Sequence, residues 1–579
     1  IHAASNGALA LMADVASLDM GATPNLFIGV TQGQTIHFGE AGTAIQAWHT
    51  TDDNRTQWLF GGGGGNLYVD GLLTGDSDLV LGNAYTRGTV TLTNTGNTFS
   101  GNIIFNGPVT LDCTDVRALG DAHIILGCGN RVSSQVDISR LDANSSGATM
   151  LLDGDSSTDL NLSGLQGVSI STAKDMTYTG NITVAEGAAY RFGVIQDATL
   201  TLAVDLAAGH DLVLDAQTYS GGTVVIERAH ALDGTVTVQG YDADLAHVST
   251  GNTTLKLTSG NALASASSFM VRNGGTIDIA GTDQTFNNVT IGAGGTITDS
   301  SNGATLTIDN AVVATFAGSM DVDTIVKRGS GALTLSGANY YNTLDVYGGI
   351  LTVNNANGLA AGSITRMHNG TSITLNANVQ SRIYLEGGNL TLGGSGNVSG
   401  DGAIIATGGK TSNVYLSGST HAFAGEVGAE EGSTLRFQKP SATTTRTLAL
   451  WATNITSAGG TINCDLKVNL DNGGTQTVGG TVTLAQATTW GIVTSYIGRT
   501  AGSVKNLDTV VVAGGTSQAY IYDQGVSGVW NIQHLNGGSN GSLQYALRET
   551  SVNGANTLRF TGEGDYAGRL SYGATANSG

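Results

Sequence analysis

Proline and cysteine are almost missing from this chain, with 3 of each in 579 residues. With so little proline, the 86 glycines build neither a collagen nor a Pro-rich disordered chain. Three cysteines cannot knot a disulfide scaffold. Charged residues are also scarce, at 12%, while 40% of residues are hydrophobic. A disordered chain would invert that balance. Basic residues are the scarcer kind, 24 Lys plus Arg against 45 Asp plus Glu, for a net charge of −21. A polyanion is repelled at long range and no basic run offsets this, so nucleic acid is not an expected partner. No apolar run reaches the ~20 residues of a membrane-spanning helix. The opening Ile1-His2-Ala3-Ala4-Ser5 lacks the charged and apolar regions of a signal peptide. The ten histidines and three cysteines show no C-x-x-C or H-x-x-x-H spacing, so no metal and no cofactor is expected.

What is present is alternation. Thr235-Val236-Thr237-Val238, Thr253 to Leu257, Thr276 to Ile279, Thr305 to Ile308 and Leu390-Thr391-Leu392 place an apolar residue at every second position. That is the period of a strand with one buried face, and β-branched threonine suits the wet face. Between the runs stand Gly-Asn or Gly-Gly pairs, such as Gly96-Asn97, Gly101-Asn102, Gly180-Asn181, Gly221-Gly222, Gly348-Gly349 and Gly388-Asn389. These residues tolerate the positive φ that sharp corners demand.

An internal repeat separates a solenoid from a string of β-sandwiches. Gly88 to Leu111 (GTVTLTNTGNTFSGNIIFNGPVTL) aligns with Gly331 to Val353 (GALTLSGANYYNTLDVYGGILTV), and each runs on to a leucine, Leu119 or Leu359. Both hold a strand, a Gly/Asn corner, an aromatic (Phe99 or Tyr341), a second strand, a corner and a third strand. Weaker echoes of the aromatic-x-Gly corner are Tyr178/Gly180, Tyr219/Gly221, Phe423/Gly425 and Tyr566/Gly568, beside Phe99/Gly101 in the first copy. A solenoid has no size ceiling, because each repeat touches only its neighbours. The expected fold is all-β, a right-handed parallel β-helix (β-solenoid) with a short N-terminal cap region. Residues 1–60 read as the cap or an arm, and 61–579 as one continuous β-helix, clearest at 88–126 and 331–375. With about 25 residues per turn it would hold roughly 23 turns at ~4.8 Å spacing, a rod on the order of 110 Å.

Thr218 to Val225 (TYSGGTVV) and Gly329 to Tyr341 (GSGALTLSGANYY) resemble the autotransporter-associated β-strand repeat, and Leu67 to Leu81 and Phe316 to Val326 resemble its lead-in strand. The resemblance covers about a third of the chain. It implies the extracellular or cell-surface β-helix of a Gram-negative passenger domain, and no particular activity. The family's C-terminal translocator barrel is not in this sequence, so an outer-membrane anchor would come only through a part outside this chain.

The search for chemistry yields little. Gly75-Asp76-Ser77 and Gly154-Asp155-Ser156 lack the following glycine of a serine-protease motif. Asp153/Asp155, Asp242/Asp244 and Asp321/Asp323 put carboxylates on one strand face, suited to acid/base work or Ca²⁺, or simply to solvated corners. No pair is joined in sequence by the Arg, Lys and His cluster of a lyase. Gly61 to Val69 (GGGGGNLYV) loosely matches a Ca²⁺-binding nonapeptide, which needs tandem copies; a flexible boundary fits the single copy better. Ala8 to Leu18 has helical spacing and reads as a cap helix or a flexible arm. Trp48, Trp58, Trp451, Trp490 and Trp530 all lie toward the two ends, where they suit capping; Trp48 and Trp58 equally suit a glycan platform. A disulfide between Cys113 and Cys128 fits an oxidising compartment, and two buried thiols fit a packed core. The reading is a non-enzymatic structural or adhesive surface rod, meeting a host or neighbouring-cell surface or glycan and self-associating end to end; the alternative is a polysaccharide lyase or hydrolase. Leu558 to Tyr572 resembles a fresh repeat, so the natural product or its assembly is expected to continue past Gly579.

Overall fold

The computed structural model describes residues 7–438 except 52–53, 83–87, 108, 126–130, 134–139, 142–148, 153, 166, 195–196, 216–220, 241–251, 418–419, 424 and 431. Beyond 438 it describes the backbone of the strands 447–450, 455–457, 461–464, 467–469, 480–482, 495–498, 507–513, 519–522, 529–535 and 557–561. Among these residues the chain is an all-β parallel solenoid of about 17 turns, with a 3-10 turn at Val116–Leu119. It divides into two compact units, 1–282 with 294–296, and 283–293 with 297–579.

In the first unit, Ala8–Leu11, Phe27–Val30, Thr56–Phe60, Asp78–Leu81, Asn102–Phe105 and His123–Ile125 stack as one sheet. Thr35–Phe38, Asn66–Val69, Thr89–Leu92 and Thr110–Cys113 begin a second. Thr199–Leu202, Gly222–Ile226, Thr253–Leu257 and Gly275–Asp278 belong to a third. In the second unit, one sheet runs from Gln284–Asn287 through Thr324–Arg328, Thr343–Val346, Ile364–Met367 and Arg382–Leu385 to Glu426–Ala429 and beyond. Another carries Ala314–Phe316, Leu333–Leu335, Ile350–Val353, Ser372–Leu375 and Asn389–Leu392.

The alternation in sequence becomes burial. Leu333, Leu351, Ile373 and Leu390 stack inward in one column, and all are buried. Thr334, Thr352, Thr374 and Thr391 form the outward column beside it. Each inward leucine or isoleucine contributes about 2 kcal/mol by leaving water. Because like stacks on like, no turn closes its core alone.

Three expectations need correction. The helical spacing of Ala8 to Leu18 folds as a strand, Ala8–Leu11, in register with Phe27–Val30, and Val15 bridges to Phe38. The neighbouring strand satisfies the backbone, and that outweighs intrinsic helix preference. The glycine run at 61–65 is a packed corner where backbone meets backbone. Val30 N–H donates to Gly62 O at 3.0 Å, Gly65 N–H to Val30 O at 2.9 Å, and a Cβ at Gly63 would fall 2.4 Å from Val30 O. Turn length is not uniform: the step from Thr235 to its partner Ser268 takes nearly twice as much chain as the step from Ser372 to its partner Asn389.

Acidic residues also tie turn to turn. Asp155, Asp159, Asp175 and Asp211 accept backbone N–H groups of the next turn, from Thr177, Asn181, Thr199 and Thr235, at 2.6 to 2.8 Å.

Candidate interaction surface

Of the corner aromatics expected from the repeat, Phe99, Tyr178 and Tyr341 are buried. Phe99 is fully buried and meets the Trp58 ring edge-on at 5.8 Å. Tyr178 is buried, its hydroxyl donating to Thr158 O at 2.7 Å, and burial pushes that hydroxyl up to about 12. Tyr341 is buried too, which raises its hydroxyl further. The glycines allow close turn-to-turn approach: a Cβ at Gly101 would fall 2.1 Å from Ser77 O, and one at Gly180 2.4 Å from Thr158 O. Gly221 abuts Asn252 in the same way, and Gly425 is buried. Phe423 closes the strand Thr420–Phe423, while Tyr219, Tyr566 and Gly568 lie outside the described residues.

Sequence reading missed the asparagine of this corner. Asn97 Oδ1 accepts Leu73 N–H at 2.8 Å and its Nδ2 donates to Ala118 O at 2.7 Å. Asn339 repeats this, accepting from Met320 N–H at 3.0 Å and donating to Gly358 O at 2.9 Å. One buried amide thus satisfies the turn before and the turn after. The signal was available: both stand two residues before the aligned aromatic.

Lys327 was missed as well. It occupies an inward position of Thr324–Arg328, and its Nζ donates to the carbonyls of Arg328, Gly329 and Gly348 at 2.5, 2.9 and 3.2 Å. Burial lowers its pKa, against the pull of Asp309.

Cys113 is buried, and burial, with the charges of Asp112 and Asp115 behind it, pushes its thiol up to about 12. Cys128 lies outside the described residues, so their pairing stays a proposal. Trp58 donates to Ile45 O at 2.9 Å and Trp48 to Leu26 O at 3.1 Å. Trp58 is buried and Trp48 packs edge-on against Phe60 at 5.4 Å, so the pair is core rather than a glycan platform. Trp451 and Trp490 lie outside the described residues.

Ser77 meets Thr56 at 2.5 Å, and Asp78 pairs with Arg55 at 2.6 Å. Asp323 accepts from Asn342, and Asp321 O accepts Asp299 N–H at 2.8 Å. Asp153, Asp242 and Asp244 lie outside the described residues.

The outer face of the second unit gathers what no sequence motif joined. Arg328, Tyr347, His368 and Glu386 each follow a core position on successive turns, Lys327, Val346, Met367 and Leu385. Tyr347 and His368 stack at 4.0 Å with planes 6° apart, and the Arg328 guanidinium lies 5.5 Å from the tyrosine ring centre. His368 Nδ1 meets Glu386 Oε2 at 2.8 Å, and Lys410 donates to Glu386 Oε1 at 3.2 Å. Hydrogen bonds from His368 and Lys410 hold the Glu386 carboxyl below its ordinary value. Arg366 reaches Asp345 at 3.5 Å, and Arg382 reaches Glu426 at 2.7 Å. The Arg, Lys and His cluster that no sequence pair supplied therefore exists, assembled across turns. Its groups are turned on one another, and His368 Nε2 is buried, 3.7 Å from Asp345. That geometry makes a ladder of mutually paired side chains.

Beside the ladder lie exposed apolar side chains, Val312, Val313, Tyr347 and Ile350. Among the described residues no helix is long and apolar enough to cross a membrane.

No family model matches the chain, and no solved structure matches it. Among curated proteins, 150 residues are 31% identical to the adhesin BmaC autotransporter of Brucella suis biovar 1. The match covers 26% of this chain and 4% of that adhesin. The chain is thus a parallel β-solenoid with a local likeness to one autotransporter adhesin.

Proposed function

We propose that this chain is a structural or adhesive segment of a cell-surface protein of the autotransporter-passenger kind. The observation that carries the proposal is the likeness to an autotransporter adhesin in a chain folded as a parallel solenoid. A solenoid satisfies its backbone internally and leaves the outward residues of every turn free to vary, which suits contact. The second reading, a polysaccharide-active enzyme, draws on Asp345, Arg366, His368, Glu386 and Lys410; their mutual pairing argues for a fixed surface instead. Beads coated with the purified chain should bind cell monolayers saturably, and the chain should release no reducing ends from a panel of polysaccharides. Release abolished by Glu386→Gln would establish the enzyme; uncoated and coated beads binding alike would overturn adhesion.

A further inference from the structure

The strand Ile364–Met367 of the second unit ends in a tight turn, His368-Asn369-Gly370-Thr371. Thr371 closes it, its N–H and its hydroxyl both donating to His368 O, at 3.1 and 2.5 Å. Gly370 stands at φ 84°, and a Cβ there would meet nothing within 4 Å. Asn369 and Gly370 are both exposed. Among the described residues the Asn369 amide makes no hydrogen bond, and Gly370 N–H donates to no acceptor. An electrophilic side-chain carbon therefore sits beside a backbone nitrogen that no protein group holds and no Cβ shields.

Other Asn-Gly pairs are held. Gly274 N–H donates to Gly294 O at 2.8 Å and Gly358 N–H to Asn355 O at 2.9 Å, so Asn273 and Asn357 each face an engaged nitrogen. Asn302-Gly303 is bracketed by Asp299, whose carbonyl accepts Asn302 N–H at 3.3 Å. The Asp299 carboxylate accepts Ser301 and Ala304 N–H at 3.2 and 2.9 Å. The surroundings of Asn369 also give its reaction a consequence. A Cβ at Gly387 would fall 3.0 Å from Asn369 Oδ1 and 3.0 Å from Lys410 Cδ, so both side chains lie over one corner of the next turn. From there Lys410 reaches Glu386 at 3.2 Å.

We propose that Asn369 is a self-modification site, converting to aspartate and isoaspartate in the folded chain, and that the new carboxylate competes with Glu386 for Lys410. Gly370 N gives its proton to hydroxide and bonds to Asn369 Cγ. The Cγ–Nδ2 bond then breaks, and ammonia leaves with a proton taken from water. A second water opens the cyclic imide at either carbonyl, leaving one carboxylate and no change of oxidation state. To test this, the full chain is aged at pH 8 in water enriched in heavy oxygen, then digested in ordinary water at acid pH and mapped by mass spectrometry. Label should enter at Asn369 about tenfold faster than at Asn273 or Asn357, the effect of having no backbone hydrogen bond to break. In urea the three rates should converge. Asn369→Gln should remove the label with melting unchanged. The site is overturned if the three asparagines take up label at one rate in the folded chain, if none enters at Asn369, or if the difference persists in urea, which would trace it to local sequence. Competitive acetylation reads the consequence. Lys410 should acetylate faster in Glu386→Gln, and adding Asn369→Asp should slow it again; a rate unmoved by Asn369→Asp would overturn the competition for Lys410.

Discussion

His230 shows how one buried side chain sets a pH limit. Its Nδ1 accepts Leu206 N–H at 3.1 Å, so that nitrogen must carry no proton. Burial lowers its pKa from the ordinary 6.5, with Asp205 opposing and Arg228 assisting. The unfolded chain therefore binds a proton more readily than the folded one below about pH 6.5. The contribution of His230 to stability is complete above that pH and is lost as pH falls from there through the lowered folded value. Melting temperature should drop from pH 7 to pH 5, and the drop should be smaller in His230→Gln, whose amide oxygen still accepts the Leu206 N–H. An equal drop in both proteins would contradict this. Cys113 makes a second residue-level case. With its thiol pushed up to about 12, it should resist iodoacetamide at pH 8 in the folded chain. In denaturant without reductant it should then alkylate; persistent protection there would identify the disulfide with Cys128.

At the scale of a strand and its corner, the alternation and the corners were legible because each is local. Parity alone predicted which face of Leu333–Leu335 or Leu390-Thr391-Leu392 would be buried. Pairing between turns was not legible, since nothing local encodes a step that nearly doubles from one pair of turns to another. The same blindness hid the candidate surface: Tyr347, His368, Glu386 and Lys410 are neighbours only once successive turns are stacked. Lys327 was hidden differently, because a lysine reads as solvent-facing until its inward parity is noticed. The corner asparagine offers the sharpest test. Asn339→Ala leaves Met320 N–H and Gly358 C=O without a partner in the core, which should cost about 3 kcal/mol in urea unfolding. The exposed Asn376→Ala should stay within about 0.5 kcal/mol. Equal costs would show that the buried amide does not hold the corner.

For the whole molecule, stacking turns make stability a nearest-neighbour property. Leu344 sits in an inward column between Ile325 and Thr365, all three buried, with the Thr365 hydroxyl bonded to Ser381 at 3.1 Å. Leu344→Ala should cost about 3 kcal/mol locally. Hydrogen exchange should then speed up in Thr324–Arg328, Thr343–Val346 and Ile364–Met367 and stay unchanged in Asp78–Leu81. Uniform acceleration along the chain would instead mean that it unfolds as one cooperative body.

The uneven step has a consequence beyond folding. Ser372 to Asn389 and Thr235 to Ser268 enclose very different lengths of chain, yet each spans a single hydrogen-bonded step of its sheet. The ladder keeps its pitch whatever length of chain the corners carry, much as a ruler keeps its graduations under labels of any size. A lineage can therefore lengthen, shorten or replace a corner in one mutational event without shifting any other strand out of register. An immune system facing such a surface would meet changing loops on an unchanging frame, and a laboratory could splice a short foreign peptide into a corner and have it displayed at a known spacing.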